Sequence, residues 1–117
     1  MTLAELMHEA FRLSGKIDEG VRHLNASAIE SADAEWAYRL ARAKAWHDTD
    51  GTAKQREDAV NAATAGERRV RDLAEAGRQA SLEALRSRRQ QTSMIQTLIS
   101  AMKSELEHSQ YGPEVGP

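Results

Sequence analysis

A chain of 117 residues is the length of one domain. Its 16 Lys and Arg stand against 18 Asp and Glu, a net charge of −2, so bulk charge gives no case for nucleic acid, a membrane or an acidic substrate. The absence of cysteine excludes disulfides, iron–sulfur clusters, thiolate zinc and a cysteine nucleophile. Twenty alanines, only four Val and four Ile, and prolines confined to positions 113 and 117 predict an elongated, all-α protein.

The opening stretch carries Glu5 and Glu9 where a signal peptide needs positive charge and an apolar core. No apolar run approaches the ~20 residues that span a bilayer. The expected location is cytoplasmic, with no membrane partner. Apolar residues fall at Leu3, Leu6, Ala10, Leu13, Ile17, Val21, Leu24 and Ala28, three or four apart, which draws one stripe on a helix. Ile29, Ala32, Trp36, Leu40 and Ala43 then continue it one residue out of step, as a coiled-coil stutter would. Gly15, Gly20 and Asn25–Ser31 weaken this helix, and Ser27-Ala-Ile-Glu30 fits a capping box. One continuous helix over about 2–48 and two consecutive ones, broken near residue 25, both remain open.

The turn falls at 48–52. Gly51 suits the left-handed conformation that ends a helix, and Thr52 with Gln55 reads as the capping box of the next. A second helix is predicted over about 53–109. Its stripe runs through Val60, Ala63, Val70, Leu73, Gly77, Ala80, Ala84, Leu85, Ile95, Leu98, Met102 and Leu106. Residues 110–117 read as a disordered tail. The domain is thus a single coiled-coil-like antiparallel helical hairpin over 1–109. With the turn centred near residue 50, Leu3 meets Leu98, Leu6 meets Ile95, Ile17 meets Ala84, Val21 meets Ala80 and Leu24 meets Gly77. Trp36 falls opposite Ala65 and Gly66. Large residues then face small ones along the seam.

Helix 2 outruns helix 1 in this pairing, leaving Ile99, Met102 and Leu106 without partners. Met94, Ile95, Leu98, Met7 and Phe11 add to an apolar surface of the kind that marks an oligomer or partner interface. Dimerisation into four helices would cover it. Charge is also uneven. Residues 61–90 hold seven arginines against four acids, and they include Arg68, Arg69, Arg71, Arg86, Arg88 and Arg89. Paired with the acidic first helix they form interhelical ion pairs. Left free, and joined by Trp36 and Trp46 as stacking platforms, they would contact nucleic acid.

Catalytic chemistry finds little support. Asp48-Thr-Asp50-Gly51-Thr52 looks like the aspartate motif of haloacid-dehalogenase phosphotransferases. That motif ends a buried strand, whereas residues 43–47 here read as helix. The same residues fail as a calcium loop, since Ala59 stands where an EF-hand needs Glu. His8, His23, His47 and His108 have no i,i+3 or i,i+4 partner for a metal, and no serine lies in a nucleophile elbow. No cofactor, metal or enzymatic activity is expected.

Residues 34–46 (AEWAYRLARAKAW), Thr52–Arg56 (TAKQR), 84–91 (ALRSRRQQ) and Met94–Leu98 (MIQTL) resemble small helical proteins of actinobacterial phages, over roughly residues 30–106. The resemblance implies a phage accessory protein connected with DNA replication or recombination, working in the infected host. In outline the hairpin is also similar to the small secreted WXG-type helical hairpins. Here the turn holds Asp-Gly without the Trp, and Tyr111 is followed four residues on by Val115 rather than an acid. Both departures argue against secretion. The functional expectation is a non-catalytic accessory protein that binds itself and a host or phage protein. The alternatives are nucleic-acid binding through the arginine block, or a virion assembly component.

Overall fold

A computed structural model of the chain describes residues 1–111. The described residues form three α-helices and no strand: α1 (Leu3–His47), α2 (Ala53–Ala63) and α3 (Ala65–Tyr111). The fold is an all-α, coiled-coil-like helical hairpin. Contacts divide it into two units. The first joins Met1–Val21 to the chain from Glu83 onward; the second is Arg22–Leu82. Of the tail expected to be disordered from 110, positions 110 and 111 belong to α3, and 112–117 lie outside the described residues.

α1 is unbroken, which settles the choice left open near residue 25. Its capping box is at the very start, where the Thr2 hydroxyl accepts from the Glu5 amide at 3.1 Å and the Thr2 amide donates to the Glu5 carboxylate at 3.2 Å. Ser27 caps nothing. Its hydroxyl is 3.1 Å from that of Ser81 on α3. At the other end, Gly51 takes φ +117, and the Thr52–Gln55 capping box starts α2. Arg56 closes α1 from outside: its guanidinium donates to the Trp46 carbonyl at 2.7 Å and lies 4.3 Å over the Trp46 ring. A cation there meets the negative end of the helix dipole.

The single helix expected over 53–109 is instead two, divided at Thr64. The Thr64 hydroxyl donates to the Val60 carbonyl at 2.7 Å, and the Thr64 amide shares the same acceptor at 3.0 Å. Such back-bonding disturbs a helix, and Thr64 takes φ −109, ψ 13 where α2 ends and α3 begins. Neither proline nor turn chemistry announces this break, so periodicity alone does not reveal it. Val60 and Thr64 are almost wholly buried.

Each unit pairs its helix segments antiparallel, but about one helical turn away from the pairing that the turn-centred reading gives. In the first unit Gly20 lies against Leu85 and Arg88, beyond the level of Ala80 and Ala84. In the second, Ser27 meets Ser81 and Ser31 meets Glu75. The seam there has no stutter. Leu24, Ser31, Tyr38 and Ala45 recur every seven residues, as do Ser27, Ala34 and Ala41, and all are buried or half-buried. Ile29, Trp36 and Leu40, which the hydrophobic spacing puts in the stripe, point away and are exposed.

Among the described residues Gly51 is the one glycine held in the left-handed region, and a Cβ there would come within 2.7 Å of the Gln55 Oε1 that completes the capping box. Gly51→Ala is expected to lower stability by about 1 kcal/mol through backbone strain, and Thr52→Ala by about 1 kcal/mol through loss of the cap. Urea unfolding followed by circular dichroism checks both.

Candidate interaction surfaces

In the first unit, Leu6 and Leu13 of α1 and Leu85 of α3 are buried. Glycine at position 20 makes this packing fit, because Leu85 Cδ1 lies only 3.1 Å from where a Cβ would stand. Arg88 reaches across the seam and donates to the Lys16 carbonyl at 2.9 Å. Ile95, Ile99 and Met102 are half-buried. The unpartnered overhang is therefore shorter than expected, since the displaced register lets the seam run on through Ile99 and Met102. Met7, Met94, Leu98 and Leu106 remain exposed, as does Phe11, which keeps 80% of its surface open.

The arginine block is divided between the units. Arg86 pairs with Glu83 at 2.8 Å and Arg89 is exposed, both in the first unit. In the second, Arg71 donates to Asp72 at 3.0 Å, lies 3.7 Å from Glu35 and stacks 4.3 Å over the Tyr38 ring. Arg68 is half-buried with its Nε unpartnered, and Arg69 is exposed. Arg71, Arg86 and Arg88 are thus spent on contacts within the chain. Trp36 is exposed and unstacked, whereas Trp46 lies beneath Arg56.

One polar cluster stands out in the second unit. Glu75 accepts from Ser31 across the seam at 2.9 Å, from Arg78 at 2.6 Å and from the Gln79 amide at 3.3 Å. The Arg78 bond, then those of Ser31 and Gln79, hold its carboxyl at about 2, well below the usual value.

The two flanks of this second unit differ in character. One carries Glu35, Arg71, Asp72 and Glu75 with Ala28 and Ala32. The other has smaller side chains, with Glu30, Lys44, Asp48 and Glu67 among them. Three adjoining hollows run along it. Glu30 shares the first with Leu73 and Gly77, Ala34 and Ala37 share the next with Gly66 and Val70, and Lys44 shares the last with Ala63 and Glu67. Val70 and Leu73 are each 59% exposed.

The sequence pattern places Val70, Leu73, Gly77, Ala80 and Ala84 in the hairpin seam. The structure corrects this. Val70, Leu73, Gly77 and Ala80 line or adjoin the outward flank, and all five positions are exposed. The seam instead takes Thr64, Arg71, Arg78 and Leu85, seven residues apart. The turn-centred pairing makes Gly66 and Gly77 room for Trp36 and Leu24, yet a Cβ at either glycine would meet nothing within 4 Å. The seven-residue recurrence is present in the sequence, but polar residues at most of its positions hide it from a hydrophobic reading.

Among the described residues no group of three His, Cys, Asp or Glu could hold a metal ion, and no helix is long and apolar enough to cross a membrane.

Because the folded Glu75 carboxyl titrates below its unfolded value, its contribution to stability is present above about pH 4.5 and is lost as pH falls toward about 2. Carbon-detected NMR titration of the Glu75 carboxyl should show the low midpoint, and Arg78→Gln should move it back toward the usual range. Changing Arg86, Arg88 and Arg89 together to Gln should lower stability by about 1 kcal/mol, chiefly through the lost Arg88 bond. It should have little effect on the anisotropy of a labelled single strand. Tight binding that this triple change abolishes at unaltered melting temperature would reverse the assignment of these arginines to structure. No family model, curated protein or solved structure matches the chain, so the helix surfaces themselves are the ground for a functional reading.

Proposed function

We propose that this is a non-catalytic binding protein that self-associates and docks a protein partner through exposed apolar helix surfaces. The observation that carries the reading is the imbalance of its apolar residues. Phe11, Met94, Leu106, Trp36, Ile29, Leu40, Val70 and Leu73 are more than half exposed, while the buried large ones are Leu6, Leu13, Val60 and Leu85. Burying a side chain of this size stabilises by roughly 1.5–3 kcal/mol, so association has much apolar surface to cover. Apolar surface in excess of what a monomer needs marks interaction sites.

The resemblance of residues 30–106 to actinobacteriophage helical proteins supports an accessory role in phage DNA replication or recombination, in the host cytoplasm. The arginine block supports nucleic-acid binding less, because Arg71, Arg86 and Arg88 already have partners within the chain. A virion assembly component would use the same self-association and differ in its partner.

Light scattering at tens of micromolar should give at least twice the chain mass of 12.9 kDa. A monomer under those conditions would reject self-association. Changing Phe11 and Leu106 to Glu should leave helicity intact, since both are exposed, and should weaken capture of the protein partner or the growth of larger assemblies.

A further inference from the structure

We infer that the flank of small side chains on the second unit docks a second copy of this chain. The docking is antiparallel about a two-fold axis passing by Ala37 and Val70. This rests on the self-association proposed above and assigns it a face and an orientation.

The choice of flank follows from side-chain size and from which charges are already paired. The Glu35, Arg71, Asp72 and Glu75 flank is occupied by groups already paired within the chain, and covering it would strip water from them. On the other flank Val70 and Leu73 are exposed beside alanines and glycines, so another helix can approach closely. Gly66 weakens the helix it sits in, and a Cβ there would meet nothing within 4 Å across the chain. A second copy would give that position a use.

The choice of occupant follows from the pattern along the flank. Glu30 and Lys44 each lie seven residues from Ala37 on α1, about 10 Å to either side. Both are exposed, and neither has an ion-pair partner among the described residues. Ala37 shares its hollow with Val70, so the two mark one level. On α3, Leu73 lies about one turn to one side of Val70 and Gly66 about one turn to the other.

A two-fold axis across the helices at this level brings Glu30 of each copy to Lys44 of the other. It also sets Leu73 of each copy over Gly66 of the other. Opposite charges meet opposite charges, and a large side chain meets a gap, each twice, as a self-complementary interface requires. Asp48 and Glu67 of the same copy also line the hollow that holds Lys44, and neither lies within ion-pair distance of it. A parallel arrangement of the two α1 helices would set Glu30 on Glu30 and Lys44 on Lys44.

The test is sedimentation velocity on the full chain and four variants, with circular dichroism as a control for folding. The unmodified chain should be a dimer. Glu30→Lys and Lys44→Glu should each raise the dissociation constant at least about tenfold, because two ion pairs become two like-charge contacts. An equal mixture of these two variants should dimerise again, since one copy brings lysine at both ends and the other brings glutamate. The double variant E30K/K44E should also recover. Gly66→Leu should abolish the dimer while keeping or raising helicity, because the site is open within the chain.

A monomeric unmodified chain would overturn self-association itself. A dimer that Glu30→Lys, Lys44→Glu and Gly66→Leu all leave intact would overturn the flank while self-association stands, and would point to a different protein as its occupant. Single variants that separate but do not recombine when mixed would overturn the antiparallel orientation.

Discussion

In the second unit a polar seam sets the terms for everything else. Two helices that pair over many turns normally fill the seven-residue recurrence with leucine, isoleucine or valine. Here Ser27, Ser31, Thr64, Arg71, Arg78 and Ser81 take seam positions instead. Each must find a hydrogen bond or remain solvated. Ser27 finds Ser81, Ser31 finds Glu75, and Thr64 bonds back to the Val60 carbonyl. A buried hydroxyl without such a partner would cost on the order of 1–3 kcal/mol, so the two contacts that cross the seam fix the register as well as holding it.

Stability is therefore uneven along each pair. Leu6, Leu13 and Leu85 anchor the first unit, and Val60 with Thr64 anchors the turn-proximal end of the second. Between Ser27 and Glu75 the second unit relies on small side chains and hydrogen bonds that are partly open to water. Such contacts are worth less individually than a buried leucine, but they are directional. Glu75 gathers four of them from three partners, which is why its carboxyl is the most strongly shifted group among the described residues.

A seam made of polar residues also leaves the apolar ones elsewhere. Val70 and Leu73 are exposed on one flank and Ile29, Trp36 and Leu40 on the outer side of α1. Surface that would be buried in a richer pair is available for a partner, and the same allocation that weakens the monomer favours association. The arginines follow the opposite course. Arg71 folds onto Tyr38, Glu35 and Asp72, and Arg88 onto the Lys16 carbonyl, so half of the block that looks free in the linear chain is engaged in holding it together.

The sequence alone determined the helical class, the turn at residues 48–52 and the Thr52–Gln55 cap. Composition, a left-handed glycine and a local hydrogen-bond pair are properties of neighbouring residues. It also showed that apolar surface would be left over, because there was more of it than a hairpin can cover. The register, the break at Thr64 and the identity of the seam were decided only by the tertiary structure. Hydrophobic spacing marks a helix face but does not say whether that face meets another helix or water. Val70 and Leu73 have the spacing of a seam and lie outside it, while Arg71 and Arg78 look like surface and lie within it. Long side chains with aliphatic stems can cross a seam and still reach a carboxylate or a ring, and only the opposing helix reveals which of them do.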